Sequence, residues 1–265
     1  MPTRMALEKL RRDLLTMGEM CEHAVASALM ALIDRDPDLA CYVIDYDNEI
    51  DEMELSVDRD CLDLMQGCTL SGTDLRFVAA AAKINNDLER VGDLASGICN
   101  HVLFLVRERS VLVQIIDFQD LLEQTGLMMR ESIQALLEMD TRLAWKIIDE
   151  RQIVDDEAHV IFRETLDIMK RDPRTIERCC HILAIQQLLH RVADQAANVA
   201  EEVIFMEEGV VVRHHIREFH PVAPKPFGDV APQEEERMES EIIRAKKTRE
   251  QIRQEHAEAK RQTRT

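Results

Sequence analysis

Residues 88–99 read LERVGDLASGIC and residues 189–200 read LHRVADQAANVA, one pattern written twice at an offset of 101 residues. Leu88, Arg90, Val91, Asp93 and Ala95 return as Leu189, Arg191, Val192, Asp194 and Ala196. Solenoid units repeat at roughly 20–50 residues, so this spacing marks a duplicated, domain-sized half. Chemistry carried by the first copy can be read against the second.

Each copy sits in a long apolar seam with steps of three and four. The first is Ala81, Ile84, Leu88, Val91, Ala95, Ile98, Val102 and Leu105, on a helix over about 74–108. The second is Ile182, Ile185, Leu189, Val192, Ala196, Val199, Val203 and Met206, on a helix over about 174–208 with Gly209 as its C-cap. Leu7, Leu10, Leu14, Met17, Cys21, Ala24, Ala28 and Ala31 form a comparable seam that Asp36-Pro37 interrupts. A second helix runs over about 38–66 with Val43, Tyr46, Ile50, Met53 and Val57 inside, followed by a turn rich in cap residues at 67–74. A fourth helix is expected over about 111–138 and a fifth over about 141–170, ending at Asp172-Pro173. Short connections make neighbours antiparallel. The expected fold is all-α: two tandem three-helix bundles sharing one elongated core, a six-helix protein. Residues 1–108 form the first repeat and 109–209 the second. Residues 210–232 read as a linker and 233–265 as a charged helical extension.

Composition agrees with long helices. The 265 residues include only 8 Gly and 7 Pro, and aromatics make up 4%. Seven cysteines (21, 41, 61, 68, 99, 179 and 180) show no CxxC spacing and read as reduced, buried thiols of a cytosolic protein. The apolar stretch near 102–116 is broken by Arg107, Glu108 and Arg109, so no membrane span is expected. The formal net charge of −18 disfavours nucleic acid as a partner. Such acidity suits cations, basic protein surfaces, or a merely solvated face.

Two acidic pairs border the seams. Asp47 and Asp51 lie four apart on the second helix, and Glu89 and Asp93 four apart on the third. Residues at this spacing share a helix face, so antiparallel neighbours could gather four carboxylates at the margin of the core. Like charges this close need a cation among them, whether a hard metal ion or Arg90 or Lys83. A di-iron carboxylate oxidase would require Glu-x-x-His pairs, and none borders these seams. No nucleophile constellation, P-loop or dinucleotide fingerprint is present. Gly92 and Gly97 read as close helix approaches, and His23, His101, His159 and His181 as isolated core or surface histidines. His214 and His215 are adjacent in the linker without further ligands nearby.

DYDNEIDEMELSV (45–57) and DLRFVAAAAKINNDLERVGDLASGI (74–98) resemble the first repeat of the PhoU family of bacterial phosphate-transport accessory regulators. HILAIQQLLHRVADQAANVAEEVIFMEEG (181–209) resembles the second. The resemblance covers about residues 5–209 and leaves the C-terminal extension without a counterpart. It implies a cytoplasmic, non-enzymatic adaptor that forms dimers or larger oligomers. Such an adaptor links the phosphate transporter's ATPase subunit to a membrane sensor histidine kinase, and damps the starvation response when phosphate is plentiful. It also implies metal held by E/D-x-x-x-D pairs, two per repeat. The first repeat carries the full set, Asp47 with Asp51 and Glu89 with Asp93. In the second, Asp155 and Asp194 remain, but Arg151 and His190 replace the first members. His190 could still ligate, whereas Arg151 cannot. The expectation is one complete metal site for a divalent or ferric ion (iron, zinc, manganese and magnesium all fit) and one degenerate site, Asp155, His190 and Asp194. There a salt bridge from Arg151 to Asp155 or Asp194 stands in for the ion. A carboxylate metal-storage protein or metalloenzyme and a purely structural helical scaffold are the alternatives.

Overall fold

The residues that break the apolar period are the ones that cap helices. A computed structural model of the protein describes residues 2–67, 69–108, 116 and 118–212. The expected 233–265 extension, most of the linker with His214 and His215, Cys68 and the expected start of the fourth helix lie outside the described residues. The helices are α1 (Pro2–Asp34), α2 (Pro37–Gly67), α3 (Gly72–Arg107), α4 (Gln119–Glu138), α5 (Thr141–Arg171) and α6 (Ile176–Glu208). Asp36 Oδ1 caps α2 by accepting from the backbone N–H of Asp38 (2.9 Å) and Leu39 (3.1 Å). Ser71 Oγ caps α3 through the N–H of Asp74 (3.1 Å), and Asp140 caps α5 through those of Arg142 (2.9 Å) and Leu143 (3.2 Å). Gly209 ends α6 in the left-handed region at φ 72°, as its place after the seam predicts.

Two starts differ from expectation. Phe118 is buried and non-helical, so α4 begins at Gln119. A 3₁₀ turn over Pro173–Thr175, capped by Asp172, precedes α6 and delays its start to Ile176.

Every seam residue named above on α3 and α6 is buried. Truncating a large one to Ala removes about 2–5 kcal/mol, transfer and cavity costs together. The two helix triplets are joined by one continuous core. α3 packs against α6 and α1 against α4, so these four helices form the centre, with α2 seated on α1 and α3 and α5 on α4 and α6. The α3–α6 register is antiparallel: Lys83 meets Glu202, Asp87 meets Asn198, Gly97 faces Leu188 and His101 meets His181. Gly18 opposite Ile133 and Gly126 opposite Leu29 bring α1 close to α4.

Cys21, Cys61, Cys99 and Cys179 are buried, as their apolar faces predict. Burial pushes the Cys61 and Cys99 thiols up to about 12, which keeps them inert. Cys41 and Cys180 are exposed, against expectation. Each follows a buried residue (Ala40, Cys179) and, one step of about 100° further round its helix, falls on the outward side. His101 and His181 are not isolated either. Their Nδ1 atoms lie 2.8 Å apart across the α3–α6 seam, and Phe104 stacks on His181 at 3.7 Å between ring centres.

Two features of the seam can be tested directly. Lys83 Nζ lies 3.1 Å from both Glu202 carboxylate oxygens and 5.0 Å from the Phe205 ring centre, and Glu202 is only 5% exposed. Lys83→Met should cost about 1–3 kcal/mol in denaturant unfolding, because the buried carboxylate loses this cation. Burial, reinforced by His181, holds the His101 pKa below the ordinary histidine value. Above about pH 6.5 neither folded nor unfolded His101 is charged; below it the unfolded chain gains the proton first, and stability falls. His101→Gln should flatten the decline of Tm as pH drops from about 7 to 5.

Candidate functional site

The groove between α2 and α3 is set by Gly92. A Cβ built there would stand 2.6 Å from Asp47 Oδ1 and 3.2 Å from two Ile50 side-chain carbons, so only a glycine admits the Asp47 carboxylate this close to α3. One step along the groove, Asn85 Nδ2 donates to the Glu54 carbonyl at 3.1 Å and ties the helices together. Beneath lies Cys21, whose Sγ donates to the Leu88 carbonyl at 3.2 Å.

Asp47, Asp51, Glu89 and Asp93 border this groove within electrostatic reach of one another. Asp47 and Glu89 are half-buried, while Asp51 and Asp93 are exposed at the rim. Burial first, and then Asp51, Asp93 and Glu89, push the Asp47 carboxyl up to about 6, against the Ser96 hydroxyl. Glu89 is raised by burial and then by Asp93, Asp51 and Glu54, which outweigh Arg90. Glu54, one turn beyond Asp51, is likewise raised by burial, Asp58 and Asp51. The pairwise spacing does not single out Glu54 and Ser96; their signal is position, each three residues past a member of the acidic set. Of the two basic residues offered as neutralisers, Lys83 turns away to Glu202 on α6. Among the described residues no three His, Cys, Asp or Glu side chains are placed to enclose a metal ion. The donor set nonetheless fits a hard cation: acceptor-only oxygens, mutually repelling, in a cradle that a Cβ at residue 92 would fill.

The matching groove between α5 and α6 is organised differently. Arg151 Nε lies 2.6 Å from Asp194 Oδ1, the salt bridge expected from the substitution. His190 directs Nε2 to Asp155 Oδ1 at 2.5 Å and Nδ1 to Asp194 Oδ2 at 3.5 Å. The hydrogen bond to Asp155, with Asp194 nearby, raises the His190 pKa against burial and Arg151. Asp155, His190 and Asp194 are thus brought together, with Arg151 among them.

Because the folded state raises Asp47 from an ordinary 3.8 to about 6, it binds this proton more tightly than the unfolded chain. The metal-free protein should gain stability as pH falls through that window and lose it as pH rises through 6. Linkage sets an upper limit of about 3 kcal/mol, and solvent screening of a half-exposed carboxylate leaves on the order of 1 kcal/mol. Asp47→Asn should raise the Tm in chelator at neutral pH by a few degrees, measured by calorimetry. Gly92→Ala should push the Asp47 carboxylate away from α3 and crowd Ile50, an overpacking cost of about 1–3 kcal/mol set against about 1 kcal/mol of gained helix propensity, read in chemical denaturation.

A family model described as the PhoU domain matches the chain twice, over residues 14–102 and 118–203. The phosphate-specific transport system accessory protein PhoU homolog of Pseudomonas aeruginosa is 34% identical over 208 residues, covering 78% of this chain and 86% of the relative. The phosphate-specific transport system accessory protein PhoU of Escherichia coli is 31% identical over 210 residues, with 78% and 86% covered. The crystal structure of PhoU from Pseudomonas aeruginosa superposes with a TM-score of 0.73 at 32% identity, over 78% of this chain and 99% of that one. That of the phosphate transport system regulatory protein PhoU from Streptococcus pneumoniae gives 0.72 at 25% identity, over 79% and 99%. With both repeats matched and the fold shared with a solved PhoU structure, the chain belongs to the PhoU family.

Proposed function

We propose that this protein is an accessory regulator of phosphate transport. It acts by docking and not by catalysis, contacting the transporter's ATPase subunit and a sensor histidine kinase so that the starvation response is damped when phosphate is plentiful. The observation that carries this reading is the doubled family match to proteins named as phosphate transport accessory proteins. The net charge of −18 supports binding to basic protein surfaces. Among the described residues no helix is long and apolar enough to cross a membrane, which suits a peripheral partner of a membrane complex in the cytoplasm. A homodimer is the expected assembly.

A metal ion held by Asp47, Asp51, Glu89 and Asp93 belongs to the same reading. A bound divalent or ferric ion supplies the positive charge that these carboxylates lack. Asp51 and Asp93, exposed on facing helices, can rotate toward the groove, while the half-buried Asp47 lies against Gly92. With their repulsion removed, α2 stays seated on α3 and presents a fixed acidic edge to a partner.

Two measurements test this. A strain lacking the protein should express a starvation-responsive reporter in high phosphate, and wild-type chain should restore repression. Unaltered reporter expression would leave the scaffold and metal-storage readings, which elemental analysis for tightly held metal separates. In high phosphate the full chain should retain the ATPase subunit in pull-downs, and Asp51→Ala/Glu89→Ala/Asp93→Ala should lose it. Unchanged retention by that variant would remove the ion from the mechanism while leaving the adaptor in place.

A further inference from the structure

We infer that the groove between α5 and α6 takes no metal ion, because Arg151 and His190 already occupy the two carboxylates that would ligate it. The response to metal is therefore confined to the α2–α3 edge. The contrast between the grooves rests on the ion pairs themselves; the statement about α2–α3 rests on the metal reading proposed above.

His190 and Asp194 stand 101 residues after Glu89 and Asp93 and border the same seam, so the two grooves are copies of one site. The first presents four carboxylates. The second presents two carboxylates, a guanidinium and an imidazole, and these four are already paired. Asp194 Oδ1 accepts from Arg151 Nε at 2.6 Å, Asp155 Oδ1 meets His190 Nε2 at 2.5 Å, and Asp194 Oδ2 lies 3.5 Å from His190 Nδ1. Nε2 is committed to Asp155, and Nδ1 lies beside the Asp194 carboxylate that Arg151 already holds. A histidine ligates only through a nitrogen free of its proton, and a guanidinium cannot lose its charge. A divalent ion entering between Asp155 and Asp194 would have to displace Arg151 and would then sit beside it. The residues that make the first groove a cation site are thus replaced by ones that close the second.

The α5–α6 edge is consequently braced at all metal concentrations, whereas α2–α3 carries unbalanced charge until an ion arrives. A partner that contacts α2 can distinguish metal-loaded from metal-free protein; one that contacts α5 cannot.

The test uses the full chain, stripped with chelator and titrated separately with manganese(II) and zinc(II). Asp51→Ala/Glu89→Ala should abolish binding of both. Arg151→Asp/His190→Glu rewrites the second groove in the pattern of the first, and should bind about twice the metal of wild type. Metal retained by Asp51→Ala/Glu89→Ala and lost in Asp155→Ala/Asp194→Ala overturns the inference. So does failure of the rewritten variant to gain metal while its circular dichroism remains that of wild type. If wild type binds neither ion but the rewritten variant does, the inference stands and the metal reading of α2–α3 fails. Hydrogen exchange of wild type, which needs no variant to fold, gives a second readout. Metal should slow exchange in the segments around Asp47 and Asp93 only. Slowing around Asp155 and Asp194 overturns the inference.

Discussion

The packing of α3 against α6 is the constraint on which the rest depends. Both helices are buried along their seams, both carry the duplicated motif, and they run antiparallel with Lys83 on Glu202 at one end and His101 on His181 at the other. Once these two are committed to each other and to α1 and α4, only their outer flanks remain for α2 and α5. The motif carboxylates on α3 and α6 border those flanks. Duplication followed by antiparallel fusion therefore puts two equivalent grooves at two edges of one core, and leaves each accessible.

What differs between the edges is electrostatic. Asp47 and Glu89 are raised first by burial and then by their acidic neighbours, the signature of like charges held together by packing they did not choose. Gly92 forces the issue, since its missing side chain is what lets the Asp47 carboxylate lie against α3. On the other edge the same backbone arrangement carries opposite charges, and the 2.6 Å Arg151–Asp194 contact replaces repulsion with attraction. Half-exposed pairs of this kind contribute modestly to stability. Their larger effect is to remove the need for a counter-ion.

Much of this is legible in the order of the residues. The eight-residue seams of α3 and α6 are buried to the last residue, and the caps at Ser71 and Gly209 act where composition places them. The four carboxylates of the first groove and the Arg151 salt bridge are also readable, because residues four apart share a face and a duplicated motif shows what has been exchanged. The starts of α4 and α6 are not, since Phe118 and Pro173 sit in capping turns whose hydrogen bonds no periodicity reports. The exposure of Cys41 and Cys180 escapes as well, because how wide a face of each helix is covered depends on its neighbours and not on its own sequence.

Periodicity, caps and the repeat are local properties of a chain, so the amino-acid order alone determined the helices, their inner faces and the inventory of charges. Long-range register is not local. Lys83 finds Glu202 across 119 residues and His101 finds His181 across 80, and neither pairing leaves a trace in the spacing of its own helix. Those partners, and the turning of Lys83 away from the acidic groove, were decided by how α3 and α6 slide against each other. That register emerges only from the summed packing of the assembled core.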